Sequence, residues 1–221
     1  MTLALAPAHV VIAARGGPEA KSRCAVALPA ADRAELTAVM LEDMLSALAG
    51  APGLAQVWVV TPTPDLAERA TALGAQVIRQ SGAPGLNAAF RLGLDHVADQ
   101  AAYAAVALLP GDLPLLKAND LQAALLLTLS HALVLAPALD GGTGLLALRA
   151  GTSLEPAFGP HSFQRHAQAA KALALSAAVI AADGLAQDVD RVEDLRRVID
   201  QAPASRTAAF LRERLQPRIG S

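Results

Sequence analysis

The chain has 221 residues, 53% of them hydrophobic and 17% charged, with a formal charge of −2 from 18 Lys+Arg against 20 Asp+Glu. That apolar content excludes a disordered chain, and the near-neutral balance excludes the basic excess of a typical nucleic-acid binder. A single cysteine, Cys24, excludes an internal disulfide framework and a Cys-cluster zinc site. One soluble, cytoplasmic domain over residues 1–221 is expected, with residues 202–221 as a C-terminal helix and loose basic tail.

No basic residue precedes the N-terminal apolar stretch, so residues 9–14 are read as a buried strand, not a secretory signal. Leu36, Met40, Met44 and Leu48 then step by four along one helix face, with Asp32 as the expected cap. A strand over 56–61, a helix from Pro64 to about residue 73 and a strand over 75–78 follow. After them come a helix over 87–97 and a strand over 104–111. Residues 121–139 reach the length of a membrane span, but Gln122, Ser130, His131 and Pro137 interrupt the run. A helix followed by a strand over 132–137 explains it better, and no membrane span is expected. A Gly-rich turn leads to a strand over 144–148 and leaves no room for a crossover helix, so this pair should be antiparallel. A helix over 162–173, a strand over 175–182 and a helix over 192–199 complete the order. Continuous apolar strands alternating with helices predict a single-domain, Rossmann-like α/β fold, with a mixed, mainly parallel sheet and helices on both faces.

In such sheets ligands sit at the carboxyl ends of the strands, and four places there carry chemistry. The loop over 13–23 is Gly-rich and holds Lys21, one of only three lysines in the chain, with Arg15 and Arg23. These residues suit phosphate binding, although the spacing is not that of a P-loop. As a loop lysine, Lys21 is expected to add little stability. In LLPGDLPL, Asp112 follows an apolar strand, framed by Gly111 and Pro114, and is placed to bind Mg²⁺ or to cap a helix. In AQDVDRVEDL, Asp188 and Asp190 are two apart and share a face in an extended chain, which a divalent metal would stabilise. N-capping is the alternative there, whereas Glu193 and Asp194 suit the first turn of the next helix. Thr143 in DGGTG, with Gly159 and Ser162 in FGPHSF, forms a candidate anion site near a helix N-terminus; a hairpin turn and an N-cap serine are the simpler readings. His161 and His166 lack metal spacing, and Trp58 is read as core.

The pieces AKSR, VMLEDMLSAL, VVTP, GLNAA, LPGDLPL, DGGTG, FGPHSFQRHAQAA and DVDRVEDL occur in this order between residues 10 and 195. Together they resemble the 2-phospho-L-lactate guanylyltransferase family, which has the nucleotide-diphospho-sugar transferase fold and makes precursors of the deazaflavin coenzyme. The resemblance implies that a phosphorylated three-carbon acid attacks the α-phosphate of GTP and releases pyrophosphate. It places Lys21, Arg23 and Asp112 in catalysis and Asp112, Asp188 and Asp190 on Mg²⁺. Arg15, Lys21, Leu86, Asn87 and Gly111 would bind the nucleotide, and Thr143, Gly159 and Ser162 the acid. The implied partners are GTP, the acid and a second copy of the chain, with no nucleic acid and no membrane.

Two features depart from the family pattern. The first loop reads AARGG where relatives carry a Pro-Val-Lys stretch, and Gly144 stands where they carry Asn or another polar residue. Phospholactate, phosphoenolpyruvate and phosphoglycerate therefore all remain open as the acid. The alternatives are a molybdenum-cofactor-type nucleotidyltransferase, whose GGxSxRMGxxK-type loop is absent, and a non-catalytic nucleotide-binding paralogue.

Overall fold

The computed structural model describes residues 7–81, 85–102 and 104–215. Seven apolar segments pair into one sheet: β1 (Ala8–Ala13), β2 (Leu54–Thr61), β3 (Gln76–Arg79), β4 (Ala105–Pro110), β5 (Leu133–Pro137), β6 (Thr143–Arg149) and β7 (Ala177–Val179). Their order across the sheet is β3-β2-β1-β4-β6-β5-β7. Only β6 runs against its neighbours, antiparallel to both β4 and β5, as the short Gly-rich connection requires. The other pairings are parallel.

The connecting helices are α1 (Ala30–Leu48), α2 (Pro64–Ala72), α3 (Leu86–Gln100), α4 (Ala118–Leu127), α5 (Ser162–Ala172), α6 (Asp183–Ala186), α7 (Val192–Gln201) and α8 (Arg206–Leu215). Alternate strand residues feed two separate cores, because successive side chains leave a strand on opposite faces. Val10, Ile12, Leu109 and Val134 pack under α1, α2, α4 and α6. Val11, Leu108, Leu135 and Leu146 pack under α3 and α5, with Phe90 and Leu94 of α3 and Ala170 of α5. A third cluster joins Cys24 and Leu28 to Leu36 and Met40 of α1, and these to α7 and α8. The mixed, doubly covered sheet is therefore the one the apolar pattern predicts.

Two local readings change. Asp32 does not cap α1, which starts at Ala30 after Pro29, and it lies instead in the first turn. The short helix α6 falls in a stretch whose four residues give no periodic signal. The expected C-terminal helix is present and docked: the Asp43 carboxylate accepts hydrogen bonds from the backbone N–H groups of Arg206 and Thr207, and Leu211 is buried. Residues 216–221, where the basic end was expected, lie outside the described residues.

The sheet order puts the chemistry at one place. From β1 the chain passes to β2 on one side, while β4 pairs on the other, so the strand order reverses between β1 and β4. Ligands collect in the crevice at such a switch point, outside the carboxyl ends of the strands. The loops leaving β1 and β4 are the Lys21 loop and the Gly111–Asp112 turn. Gly111 is required here, because a Cβ would stand 2.7 Å from the Cβ of Ala14.

Arg33 fixes the first of these loops. It is buried in the first turn of α1, and its guanidinium donates to the carbonyls of Ala20 (3.0 Å), Leu28 (3.0 Å) and Pro18 (2.8 Å). A planar fork with five donors can serve three carbonyls at once, and a lysine ammonium on a different stem cannot reproduce that geometry. Arg33→Lys is therefore expected to cost about 2–3 kcal/mol, a fall in Tm of roughly 5–10 °C. Thermal unfolding checks this, and an unchanged Tm would show that the loop holds without the fork.

Candidate active site

The crevice is organised around one ion pair. Lys21 Nζ donates to Asp112 Oδ2 at 2.5 Å, and the two side chains are only 11% and 24% exposed. Lys21 is thus not the exposed loop lysine expected from its position. Burial alone would lower its pKa, but the charge and hydrogen bond of Asp112, helped by Asp190 and Asp188, outweigh that and hold it above the ordinary value. Lys21 also adopts φ 50, ψ 43, a left-handed conformation that costs free energy in any residue with a side chain. It precedes the 3-10 turn Ser22–Cys24, which carries Arg23 to the same crevice.

The Asp188–Asp190 segment is docked onto the Asp112 turn by a hydrogen bond from the Val189 N–H to the Asp112 carbonyl, 3.1 Å. Val189 is buried among Cys24, Leu28 and Leu195, so the alternation of an extended segment turns the flanking carboxylates away from that core. Neither carboxylate caps α7. Asp194 does, accepting from the N–H groups of Asp190 (2.9 Å) and Arg191 (2.7 Å). Asp190 is paired with Arg23. The Asp188 carboxyl is pushed up to about 6, first by burial and then by the charges of Asp112 and Asp140. Asp140, read from sequence only as part of a turn, does form that turn, its Oδ1 accepting from Gly142 N–H at 2.7 Å, and it adds a fourth carboxylate to the neighbourhood.

The candidate anion residues do come together. Ser162 Oγ donates to Thr143 Oγ1 at 2.9 Å, and both residues are buried. Ser162 is the first residue of α5, not its cap; His161 takes the cap position in a left-handed conformation, and Gly159 has φ 121. His166, one turn further along α5, contacts Thr143 Oγ1 through Nδ1 at 3.0 Å. Burial and the neighbouring Arg165 charge hold the imidazole down at about 4, so it is neutral. Asn87 binds this segment on both sides of its amide, to the N–H (2.7 Å) and carbonyl (3.1 Å) of Phe158. Its side chain therefore anchors the FGPHSF loop.

Several adjoining cavities line the crevice. One of about 370 Å³ is lined by Arg15, Lys21, Ser22, Arg23, Gly111, Asp112 and Asp190 and gathers three cations. One of about 160 Å³ is lined by Asp112, Asp140, Thr143, Gly159, Ser162 and Asp188. A third, about 210 Å³ and mostly apolar, is lined by Ala13, Val60, Gln80, Leu86 and Ala89 and shares Arg15 with the first. Leu86 borders all three, and Asp112 stands between the first two. A further cavity of about 230 Å³ lies near the start of β2 and has no titratable side chain in its wall.

Among the described residues no group of three or more His, Cys, Asp or Glu side chains is preassembled to hold a metal ion. The donors nonetheless suit a hard divalent cation. Asp112 Oδ1 is buried with no hydrogen-bond partner among the described residues, and Asp188 carries more negative surroundings than its neighbours neutralise. Mg²⁺ typically takes one or two carboxylates and completes its shell with water and phosphate oxygens.

Gly144 lies against α6. A Cβ at position 144 would stand 1.6 Å from the Leu185 carbonyl oxygen, so any side chain there would displace α6.

The family described as "Guanylyl transferase CofC like" matches residues 8–216. A 3-phospho-D-glycerate guanylyltransferase of Phenylobacterium zucineum is 53% identical over 207 residues, covering 92% of this chain and 95% of that protein. A phosphoenolpyruvate guanylyltransferase of Sphaerobacter thermophilus is 36% identical over 185 residues, 83% of this chain and 88% of that one. Among solved structures, a protein described as a nucleotide-diphospho-sugar transferase from Desulfovibrio desulfuricans G20 superposes with a TM-score of 0.76 at 22% identity, covering 94% and 95% of the two chains. At that identity the likeness concerns the fold.

The two cavity carboxylates should differ in sign when replaced. With EDTA present at pH 7.5, Asp112→Asn leaves Lys21 buried beside a neutral partner and should lose roughly 2–3 kcal/mol. Asp188→Asn removes a carboxylate that burial and its neighbours already destabilise, and should gain about 1–2 kcal/mol after allowance for solvent screening. Thermal unfolding of both variants checks this. A loss of stability in Asp188→Asn would mean that its charge is compensated after all.

Proposed function

The chain belongs to the CofC-like guanylyl transferase family and is a nucleotidyltransferase, and we propose that it joins GMP from GTP to 3-phospho-D-glycerate with release of pyrophosphate. The observation that carries this reading is the meeting of a cationic cavity and an anion-donor cavity at Asp112. The 53% identical relative named for 3-phospho-D-glycerate supports that acid over phosphoenolpyruvate and phospholactate.

In this reading the triphosphate of GTP lies in the cavity lined by Arg15, Lys21 and Arg23, and its nucleoside against Leu86 in the apolar cavity. Lys21 remains protonated throughout, since its environment favours the charged form. The acid lies against Thr143, Gly159 and Ser162, and the N-terminus of α5 adds the positive end of its dipole. A phosphate oxygen of the acid attacks the α-phosphorus, a new P–O bond forms, and the bond from the α-phosphorus to the bridging oxygen breaks. Pyrophosphate leaves with that electron pair. The attacking phosphate is already anionic, so no general base is needed, and catalysis reduces to alignment and neutralisation of charge. Asp112 and Asp188, with Asp190, would hold Mg²⁺, which when bound neutralises phosphate charge. The family resemblance also supports a cytoplasmic homodimer whose product feeds deazaflavin coenzyme synthesis; sedimentation velocity tests the dimer.

Pyrophosphate release with Mg²⁺, each nucleoside triphosphate and each of the three acids tests the reaction. Release is expected with GTP and 3-phospho-D-glycerate together, and Lys21→Ala should raise the KM for GTP by roughly tenfold or more through loss of a charge-assisted contact. Preference for CTP, or release that ignores the acid, would overturn the reading.

A further inference from the structure

The hydroxyl of Thr143 sits at the centre of a buried relay whose first donor can be worked out. The Ala157 N–H donates to His166 Nε2 at 2.8 Å, so that nitrogen carries its lone pair and the proton lies on Nδ1. Nδ1–H therefore donates to Thr143 Oγ1, 3.0 Å away, and the Ser162 hydroxyl bonds the same oxygen at 2.9 Å. Because the imidazole donates, neither hydroxyl hydrogen is spent on it: one closes the bond between Ser162 and Thr143, and the other is left for an acceptor beyond the relay. The wall Thr143 lines is that of the cavity shared with Asp112, Gly159, Ser162 and Asp188. His166 is itself fully buried and held at its other face by the Phe158 ring, at a centroid distance of 5.1 Å, so it is a fixed element and does not touch the cavity.

We propose that His166 is a positioning residue for the acid substrate: by donating from Nδ1 it leaves the Thr143–Ser162 hydroxyl pair with a hydrogen committed to the substrate carboxylate. The proposal rests on the reading of this cavity as the acid site. The acid's phosphate must reach the nucleotide side at Asp112, so its carboxylate occupies the end near Thr143 and Ser162. A carboxylate accepts only, and a hydroxyl free to rotate would present it a lone pair for part of the time. With the imidazole donating to one of them, the paired hydroxyls present a hydrogen at that end of the cavity. The same arrangement disfavours an acid whose amide or hydroxyl would have to donate at that point, because its hydrogen would face another donor.

Three variants of the full-length protein separate the outcomes. His166→Gln keeps an amide near the Nε2 position for the Ala157 N–H but withdraws the donor from Thr143. His166→Asn places its amide nitrogen near the Nδ1 position and keeps that donor. The KM for 3-phospho-D-glycerate should rise about tenfold in His166→Gln and stay within roughly twofold in His166→Asn, with the KM for GTP unchanged in both. An unchanged KM for the acid in His166→Gln, or equal rises for both substrates in both variants, would overturn the proposal. Thr143→Val distinguishes the two levels of failure. If it too leaves the KM for the acid unchanged, the cavity is not the acid site; if it raises that KM while His166→Gln does not, only the role of His166 falls. Should His166→Gln fail to fold, nitrogen NMR of the unaltered protein decides, since the proposal requires the proton on Nδ1 and a proton on Nε2 refutes it.

Discussion

The ion pair between Lys21 and Asp112 is the contact on which the rest of the site depends. It spans the switch point of the sheet and ties the loop leaving β1 to the turn leaving β4. Both groups are mostly removed from water, so each charge would be costly without the other. The pair also partitions the crevice, with three cations on the side of the larger cavity and buried hydroxyls on the side of the smaller. The cations that suit a polyanion therefore line the larger of these two cavities, and the two can take different anions without competing for the same groups.

Supporting contacts hold this pair in place from behind. Arg33 fixes the loop that carries Lys21 by gripping three of its carbonyls, and the Val189 N–H fixes the second acidic segment to the backbone of Asp112. Asn87 secures the Phe158 loop from α3, and His166 sets Thr143 from α5. The Arg33, Asn87 and His166 side chains act on backbone or on a hydroxyl and leave the cavity surface to others. Groups placed on helices in this way are held more rigidly than the loops they position.

The repulsion among Asp112, Asp140 and Asp188 runs against stability, and it is felt most at Asp188. A free energy stored in clustered carboxylates is released when a cation or a bound cationic group joins them, so the cost in the free protein becomes affinity in the complex. Gly144 shows a different compromise. The close passage of α6 over β6 leaves no room for a side chain, so a polar group at this position is given up for a tighter approach of two elements.

By itself the sequence determined the seven strands, their grouping into a mainly parallel sheet and the antiparallel β5–β6 pair, because continuous apolar runs and a short Gly-rich turn admit few other arrangements. It also determined which segments bear the chemistry: Gly111 and Asp112 stand just beyond β4, Thr143 where the Gly-rich turn enters β6, Ser162 at the start of α5 and Asp188 in the segment before α7. Only the tertiary structure decided which of these groups meet. Lys21 was legible as a cation but not as the partner of Asp112, ninety-one residues away. Arg33 lies on the same helical stripe as Leu36 and Met40, and its place among buried residues was a signal that an arginine there must find backbone partners. His166 follows Ser162 by one helical turn and shares its face, yet histidine spacing alone speaks only of metals. Asp140 reads as a turn residue and is one, and its second role arises from the field it casts on Asp188. Local pattern specifies elements because it acts through neighbours in the chain; pairings of charge and hydrogen bonds across the sheet are set by where those elements pack, which no local pattern records.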